Sequence, residues 1–380
     1  MKIEVVQDVN IFKELKEPWD DLLDKSESSS VFLTWEWLYY WWLHFAEGKE
    51  LFILLLKDET SDQLLGIAPF CLEKVRLFYL FPVKKIKFLG TDAVASDFLD
   101  CILTPGRETE AMQCICKYLF DNSQKWDVVE LGDIEENSST ISLLKQNIGS
   151  NYKLFECKAQ ACPYIKLPND YEVFLKSLSS KMRTVLRWRT NQLEKKYQLE
   201  FLIDREEGQV KENIDKLLKL HNSRFKAKRG ETASSCFSGS KMRDFHYDIA
   251  TNFLPKQRVK FYFFNDEKEA VACLYTFEYK NKLFFYQTGF NPEWHKRGLG
   301  TVLLGYAIRD SIERGLSEFH YLRGGEDYKS RWTKTIKRTQ TLLLANNSFQ
   351  GALYYGLTDG KFRLKEIAKK YLRRGTKESA

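Results

Sequence analysis

The sequence of 380 residues lacks the patterns that mark several common classes of protein. Its eight cysteines form no C-x-x-C pair and do not cluster with the five histidines, which argues against a zinc site. Its glycines fit neither of the nucleotide-binding patterns G-x-x-x-x-G-K-[ST] and G-x-G-x-x-G. We therefore expect no metal, and unpaired thiols are typical of a reducing, cytoplasmic compartment.

A signal sequence and a long apolar run are also missing. The first eight residues contain no apolar core of the kind that a signal peptide carries. The most apolar stretch, residues 31–46, is 16 residues long and includes Glu36 and His44. Because a bilayer span needs about 20 apolar residues, this stretch predicts a buried helix.

The chain carries a small excess of positive charge. The chain has 59 basic and 52 acidic residues, for a net charge of +7. This balance fits an anionic ligand such as a nucleotide, a phospholipid surface or nucleic acid without selecting one. The basic residues form no recognised nucleic-acid-binding motif, so we expect no nucleic-acid partner.

The two halves repeat one order of predicted elements, in which paired strands precede a loop, a helix and a strand. The first-half elements are strands at 51–56, 64–72 and 86–89, a helix at 108–120 and a strand at 127–131. The second-half elements are strands at 259–264, 270–278 and 283–290, a helix at 300–314 and a strand at 318–322. We infer an α/β fold with a duplicated domain.

The domains that we predict are residues 1–165, residues 166–350 and a basic tail, residues 351–380. A long helical segment over 171–197 follows the first unit. In the tail, a basic amphipathic helix is predicted from residue 361 onward. It would either dock on its own domain or lie on an anionic membrane surface.

A glycine-rich turn between the strand at 283–290 and the helix at 300–314 carries the clearest functional signal. Glycines let the backbone approach a ligand closely, and the free N–H groups of a helix start attract a pyrophosphate. The alternative is a tight turn that only packs closely. The matching first-half turn, residues 105–108, lacks the second glycine. The predicted cofactor-binding residues are Gly289, Phe290, His295, Lys296, Arg297, Gly298, Leu299, Gly300 and Thr301.

Charged and aromatic residues also crowd after the strand at 318–322, where sites of α/β proteins gather. Glu326 is the candidate to take a proton from an attacking ammonium, and Tyr328 the candidate to return one to a thiolate. Gln287, on the strand before the glycine turn, completes the catalytic candidates. The alternative is a solvated turn.

Further charged residues are candidates to bind the acceptor. Asp97 and Asp100 are three residues apart, and Arg183 and Arg187 are one helical turn apart, which suits a phosphate or carboxylate. Solvated faces remain the alternative for both pairs, and His221 is interpreted as a helix cap. The predicted substrate-binding residues are Asp97, Asp100, Arg183, Arg187, Arg323, Lys329 and Trp332.

Residues 283–332 resemble the GNAT acetyltransferase superfamily, and more closely its branch of CelD-like cellulose-biosynthesis proteins, itself similar to the Fem peptidyltransferases. The resemblance extends over about residues 15–345 and includes the first-half segments VFLTWEWLYYWW, LLGIAPF and FLGTDAVASDFLDCIL. The GNAT pyrophosphate motif falls on His295, Gly298 and Gly300. His295 departs from the usual Gln or Arg.

The resemblance implies two GNAT-like units in tandem, with mixed twisted sheets flanked by helices and a degenerate first unit on the acceptor side. It implies an N-acyltransferase that moves an acetyl or longer acyl group from acetyl-CoA or acyl-CoA to an amine by direct attack, with the oxyanion held by a backbone N–H. The implied acceptor is an amino sugar or lipid-like amine, free or linked to a nucleotide or lipid, of surface polysaccharide or envelope biosynthesis. A Fem-like aminoacyl-tRNA-dependent transferase and a non-catalytic CoA-binding protein remain alternatives.

Overall fold

The structure is a computed structural model that describes residues 1–149, 151–204, 206–230, 237 and 239–360. For residues 158, 159, 207 and 295 the description is confined to the backbone. Residues 349–360 are helical, and the tail helix predicted from residue 361 lies outside the described residues. Within the described ranges, no helix is both long and apolar enough to cross a bilayer.

Both halves contain strands that join one mixed sheet. The first-half strands are β1 (Lys2–Val6), β2 (Lys49–Lys57), β3 (Leu64–Leu77), β4 (Phe81–Phe88), β5 (Ile102–Leu103), β6 (Val128–Glu135) and β7 (Lys153–Lys166). The second-half strands are β8 (Glu200–Asp204), β9 (Val259–Asp266), β10 (Glu269–Tyr279), β11 (Lys282–Phe290), β12 (Glu318–His320) and β13 (Ile336–Ala345).

Helices cover this sheet. The first-half helices are α1 (Val9–Glu14), α2 (Lys16–Lys25), α3 (Trp35–Phe45), α4 (Glu108–Asp121) and α5 (Ser139–Asn147). The second-half helices are α6 (Tyr171–Ser177), α7 (Ser180–Asn191), α8 (Val210–Arg229), α9 (Ser240–Phe253) and α10 (Leu299–Glu313).

The last strands of the two halves are exchanged. The strand order is β1-β2-β3-β4-β6-β13-β7-β12-β11-β10-β9-β8, with β5 paired to β3. Thus β13 pairs with β6 of the first half, β7 pairs with β12 of the second half, and β7 and β13 pair with each other. Each half also has one parallel pair, β4 with β6 and β11 with β12. The predicted α/β class, with a mixed sheet flanked by helices, is confirmed.

The aromatic stretch at 31–46 is confirmed as a buried helical segment. A short 3₁₀ turn, Val31–Leu33, precedes α3, and Trp37 and Trp41 are almost completely buried. The Trp37 indole N–H donates to Ser96 Oγ at 2.8 Å, so its polar atom is satisfied inside the core. This burial fixes α3 against the loop that follows β4.

The segment predicted as one long helix over 171–197 is instead divided into three parts, and that prediction is corrected. Helix α6 ends at Ser177, and Ser179 begins α7 by accepting a hydrogen bond from the Met182 N–H at 3.2 Å. A π-helical turn, Gln192–Lys196, follows α7. A serine that caps a new helix start explains the break, because it competes with continuation of the first helix.

Candidate functional site

The parallel pair β11 and β12 opens into a gap towards the carboxyl end of β11. The two strands pair only over Lys282–Phe284 and Glu318–His320, after which the Tyr321 N–H turns to the Pro163 carbonyl at 2.9 Å. Strand β11 continues to Phe290, and in the described part of the chain no strand pairs with this side of residues 285–290. We call this side of β11 the open edge.

Side chains instead of a strand satisfy the backbone at Thr288. Its N–H donates to the Gln287 side-chain oxygen at 3.0 Å. Its carbonyl accepts from Arg224 Nη1 at 3.2 Å and lies 3.2 Å from His221 Nδ1. Gln287, a predicted catalytic residue, therefore lies at the gap, where it occupies a backbone donor that a ligand would otherwise use.

Helix α8 carries His221 and Arg224 to this position because it packs directly on β11. A Cβ at Gly289 would lie 2.5 Å from the His221 backbone nitrogen and 2.7 Å from the Leu220 carbonyl carbon. Burial, reinforced by the Arg224 charge, lowers the pKa of His221. His221 is therefore a neutral imidazole at pH 7. The sequence suggested only a helix cap for His221 and gave no role to Arg224.

The predicted glycine turn begins α10 as expected. Gly298 is the N-cap with φ +75°, and Gly300 and Thr301 lie in the first turn. A Cβ at Gly298 would lie 2.5 Å from Arg189 Nη1, whereas a Cβ at Gly300 would find its nearest neighbour, Phe290 Cδ1, at 4.0 Å. The Arg189 side chain thus covers one side of the turn and leaves the side at Gly300 accessible.

Arg189 increases the positive potential of this helix start. Its Nη1 donates to Thr301 Oγ1 at 3.3 Å, and no acidic residue in the described ranges pairs with it. The free N–H groups at the start of α10 also carry partial positive charge. An anion bound here would therefore be stabilised by Arg189 and by these N–H groups. The sequence did not mark Arg189, because its contact with Gly298 depends on how α7 packs on α10.

The neighbouring predicted residues take different positions. The Arg297 guanidinium contacts two adjacent aromatic rings, 4.2 Å from the centroid of Tyr197 and 4.3 Å from that of Trp294. Such contacts hold a cation against the surface. Lys296 is exposed and Leu299 is buried. His295 is among the residues described by their backbone.

The loop after β12 is held by Lys329. The buried Lys329 ammonium donates to the Arg323 carbonyl at 2.7 Å and pairs with the exposed Glu326 carboxylate at 3.0 Å. Tyr328 is half-buried; burial and the Glu326 charge raise its phenol pKa, while Arg224 opposes that rise. The Tyr328 phenol is therefore protonated at neutral pH.

Asp97 and Arg323 form a buried connection between the halves. The Arg323 N–H donates to Asp97 Oδ2 at 2.7 Å, its Nε contacts Asp97 Oδ1, and its Nη2 lies 3.0 Å from Asp133 Oδ2. Burial raises the pKa of Asp97 to about 6 although Arg323 opposes this. Both Asp97 oxygens are thus engaged by Arg323, and a substrate contact for either residue stays a prediction that requires this network to open.

Asp100 serves a separate network. Its carboxylate accepts from the Cys101 N–H at 2.8 Å and from Ser138 Oγ. Burial raises the pKa of Asp100 to about 6, and the hydrogen bonds from Ser138 and Thr140 work against that rise. The two aspartates of the predicted pair therefore have no bonding partner in common.

The remaining candidates make contacts around α6 and α7. Arg183 donates to the Lys176 carbonyl at 3.0 Å and the Leu178 carbonyl at 2.7 Å, which caps the end of α6. The exposed Arg187 lies 3.6 Å from Glu172. Trp332 is buried in the second-half core. The structure gives these three local contacts and does not bring them to Thr288.

Comparison with known proteins gives one match to a family model, in the second half. Residues 180–330 match the family model described as an acetyltransferase (GNAT) domain. The GNAT part of the sequence resemblance is thereby supported, and the CelD-like branch stays a prediction. No curated protein matches the chain in sequence.

Solved structures share the fold across almost the whole chain. FemX is 10% identical with a TM-score of 0.59, covering 90% of this chain and 97% of FemX. L-PGS from Bacillus licheniformis is 15% identical with a TM-score of 0.52, covering 87% and 92%. The C-terminal domain of a putative lysylphosphatidylglycerol synthetase from Agrobacterium fabrum is 12% identical with a TM-score of 0.54, covering 92% and 96%. At these identities the likeness concerns the fold.

Proposed function

We propose that the protein is an N-acyltransferase that moves an acetyl or longer acyl group from acyl-CoA to an amine. One observation carries this proposal: the open edge of β11 leads directly into a helix start where Gly298 and Arg189, which has no acidic partner among the described residues, favour an anion. A donor made of a diphosphate joined to an extended amide-bearing arm matches both parts. The match of residues 180–330 to the GNAT domain supports the same reaction class.

The helix start and the open edge would bind different portions of the donor. Backbone N–H groups around Gly298 and Gly300, with Arg189, would hold the pyrophosphate. The extended arm would lie along the open edge and take backbone hydrogen bonds as a strand does. The Thr288 N–H, released from Gln287, would donate to the thioester oxygen as negative charge develops there.

The reaction would proceed by direct attack of the amine nitrogen on the thioester carbon, with cleavage of the carbon–sulfur bond. Tyr328, whose phenol keeps its proton at neutral pH, would give that proton to the departing thiolate. Glu326 or the neutral His221 would accept the proton that the attacking amine loses. General acid–base help of this kind contributes about 10²–10⁴-fold to the rate.

For the acceptor we propose an amino sugar or a lipid-like amine of surface polysaccharide or envelope synthesis, met at the cytoplasmic side. Two solved structures share the fold, L-PGS and a putative lysylphosphatidylglycerol synthetase. The name of the second refers to a lipid product, which supports an acceptor from the envelope. The last twenty residues of the basic tail, 361–380, would suit an acceptor with an anionic carrier.

An aminoacyl-tRNA donor is the second candidate, because the FemX fold covers 90% of this chain. Such a transferase is expected to carry a long helical hairpin arm between strands of its second half. Between β9 and β13, all of which the structure describes, the only α-helix is α10. Helices α8 and α9 lie between β8 and β9, and the match covers 97% of FemX, so the absence of a long arm between β9 and β13 does not decide between the two donors. A screen with CoA ligands separates them.

A thermal-shift screen with acetyl-CoA, long-chain acyl-CoA and free CoA tests the donor. We expect the melting temperature to rise with each of them, because a ligand that binds only the folded state stabilises it. No rise with any of the three would overturn the proposal. A rise without turnover on a panel of amines would favour the non-catalytic CoA-binding alternative.

A further inference from the structure

The turn between β3 and β4 exposes a run of large apolar side chains. Phe78 is 62% exposed, Tyr79 91% and Leu80 76%, and Phe81 at the start of β4 is 36% exposed. We call residues 78–81 the apolar tip. Folded proteins rarely leave so many adjacent large apolar groups in water without a partner.

A fifth side chain extends the apolar tip. Phe349 is 66% exposed and lies with its ring centroid 5.8 Å from that of Phe81, in an edge-to-face arrangement. Phe349 begins the helix at 349–360, which leads into the final twenty residues. Those residues contain eight basic and two acidic side chains, a net +6 out of the +7 of the whole chain.

Positive charge also lies directly behind the apolar tip. Arg76 is paired with Pro82 and Lys74 with Lys84 across the hairpin, so Lys74, Arg76 and Lys84 share one face, where all three are exposed. Lys74 pairs with Glu50, whereas Arg76 and Lys84 form no ion pair with any described residue. Arg76 is the penultimate residue of β3 and three residues before Tyr79, so the two lie at most about 10 Å apart along the backbone.

The hairpin is held rigidly from its other face. Val83 is completely buried in a cluster with Val128 and Leu343, and Val75 and Leu77 pack against that cluster. The apolar tip is therefore presented on a fixed support. Its exposure does not come from a strand that has lost contact with the sheet.

The form and charge of this surface select its occupant. The apolar tip is a projecting turn and not a groove, so it can enter a soft apolar phase more readily than it can receive a peptide or helix. An interfacial apolar group is buried about 5–10 Å into the boundary between headgroups and acyl chains. Arg76 and Lys84 lie on the strands directly behind this turn, so with the apolar tip inserted their cationic groups could reach the lipid phosphates, where anionic lipid attracts them.

We propose that the apolar tip inserts into the surface of an anionic lipid bilayer, with Arg76 and Lys84 at the lipid phosphates and Phe349 beside the tip. This docking does not depend on the acyltransferase reaction. It adds a structured membrane contact that is separate from the basic tail.

Sedimentation of the full chain with vesicles tests the proposal. The vesicles are phosphatidylcholine with and without phosphatidylglycerol. The test variant combines Phe78→Asn, Tyr79→Asn and Leu80→Ser; Asn is chosen because Phe78 and Tyr79 have φ of 50° and 63°, a region that Asn tolerates. We expect this variant to bind phosphatidylglycerol vesicles at least about a hundredfold more weakly, since each large apolar side chain contributes on the order of tenfold.

Two further variants separate the contributions. Arg76→Ala with Lys84→Ala should weaken binding only to the vesicles that contain phosphatidylglycerol. Leu43→Ser, which removes another apolar side chain that is 51% exposed, should leave binding unchanged. Unfolding curves of all variants should match the parent, because the changed side chains are exposed.

Three outcomes would overturn the proposal. The first is that the parent protein does not bind phosphatidylglycerol vesicles. The second is that the apolar-tip variant binds them as the parent does, in which case the tail alone would account for the contact. The third is that the apolar tip drives self-association in gel filtration and contributes nothing to vesicle binding, which would assign it to a protein interface.

Discussion

The side chain of Arg189 lies directly over Gly298, so that a Cβ at Gly298 would meet Arg189 Nη1 at 2.5 Å and Cδ at 2.6 Å. Gly298 also has φ +75°, a conformation that side chains other than glycine rarely adopt. The backbone conformation favours glycine at the start of α10, and the Arg189 side chain occupies the space that a Cβ would take. A guanidinium thus lies against a helix start that favours an anion.

Gly298→Ala should abolish stabilisation by acyl-CoA while the protein stays folded. A Cβ would displace Arg189, and the left-handed backbone would add about 1–2 kcal/mol of strain. Gly315→Ala is the matched control, because Gly315 has φ +74° and nothing within 4 Å of a built Cβ. Thermal shifts with acetyl-CoA measure both. An equal shift for Gly298→Ala and the parent would show that the turn does not bind the donor.

Arg189→Ala should weaken CoA binding about tenfold or more, because a hydrogen bond to a charged group contributes roughly 1.5–3 kcal/mol. The affinity for an acyl-pantetheine without the diphosphate should not change. Arg187→Ala, two residues earlier and mostly exposed, is the control. Calorimetric titration of both ligands distinguishes a diphosphate contact from a general loss of structure. An equal loss for both ligands would contradict the assignment.

Gly289→Ala should destabilise the fold by about 1–3 kcal/mol, the usual cost of inserting a methyl group into a packed interface. The built Cβ meets the backbone of α8, which cannot rotate away as a side chain can. Gly300→Ala, whose Cβ has space, should be neutral or stabilising. Urea unfolding measures both, and similar curves for the two variants would rule out the close approach of α8 to β11.

Tyr328→Phe should lower kcat by about a hundredfold and leave KM for acyl-CoA nearly unchanged, if Tyr328 protonates the departing thiolate. Burial keeps the phenol protonated, as this role requires. Steady-state kinetics with a saturating amine provide the readout, and Tyr306→Phe on the outer part of α10 is the control. A fall in kcat of less than about twofold would remove Tyr328 from the chemistry.

Asp100→Asn should reduce the pH dependence of stability. The folded pKa of about 6 exceeds the ordinary 3.8, so the native state binds more protons between about pH 4 and 6. The free energy of unfolding therefore falls as pH rises through that window. Asparagine does not titrate, can accept from the Cys101 N–H and can donate to Ser138. Unfolding is measured at pH 4, 5, 6 and 7. The free energy of unfolding of the variant should increase relative to that of the parent as pH rises, and a constant difference would refute this.

Local pattern was sufficient for much of the sheet and for the glycine turn. The strand predicted at 283–290 is β11 with one more residue, because the turn at Asn281 and the apolar run that follows act within a few residues. Partners across the chain were not predictable in this way. β7 and β13 were not among the predicted strands, and local pattern does not show that each pairs in the other half.

The candidate site shows the same contrast between residues that local pattern predicts and residues that packing brings together. Gly298 and Gly300 lie at the start of a helix as predicted, because the need for a close backbone approach is a property of the residue type. The positions of His221, Arg224 and Arg189 were not predicted, because they arise from helices that pack on β11 and α10. The contact between Asp97 and Arg323, which are 226 residues apart in sequence, was not predicted either, and a substrate contact for these two residues stays a prediction.

The exchange of β7 and β13 makes the two halves mutually dependent. A fragment ending near residue 150 would lack the strand that completes the opposite half, and its own sheet would end at β6 without β13. Unpaired strand edges of that kind promote aggregation. Neither half can therefore be removed without exposing a strand edge of the other, so the chain is expected to unfold as one cooperative unit.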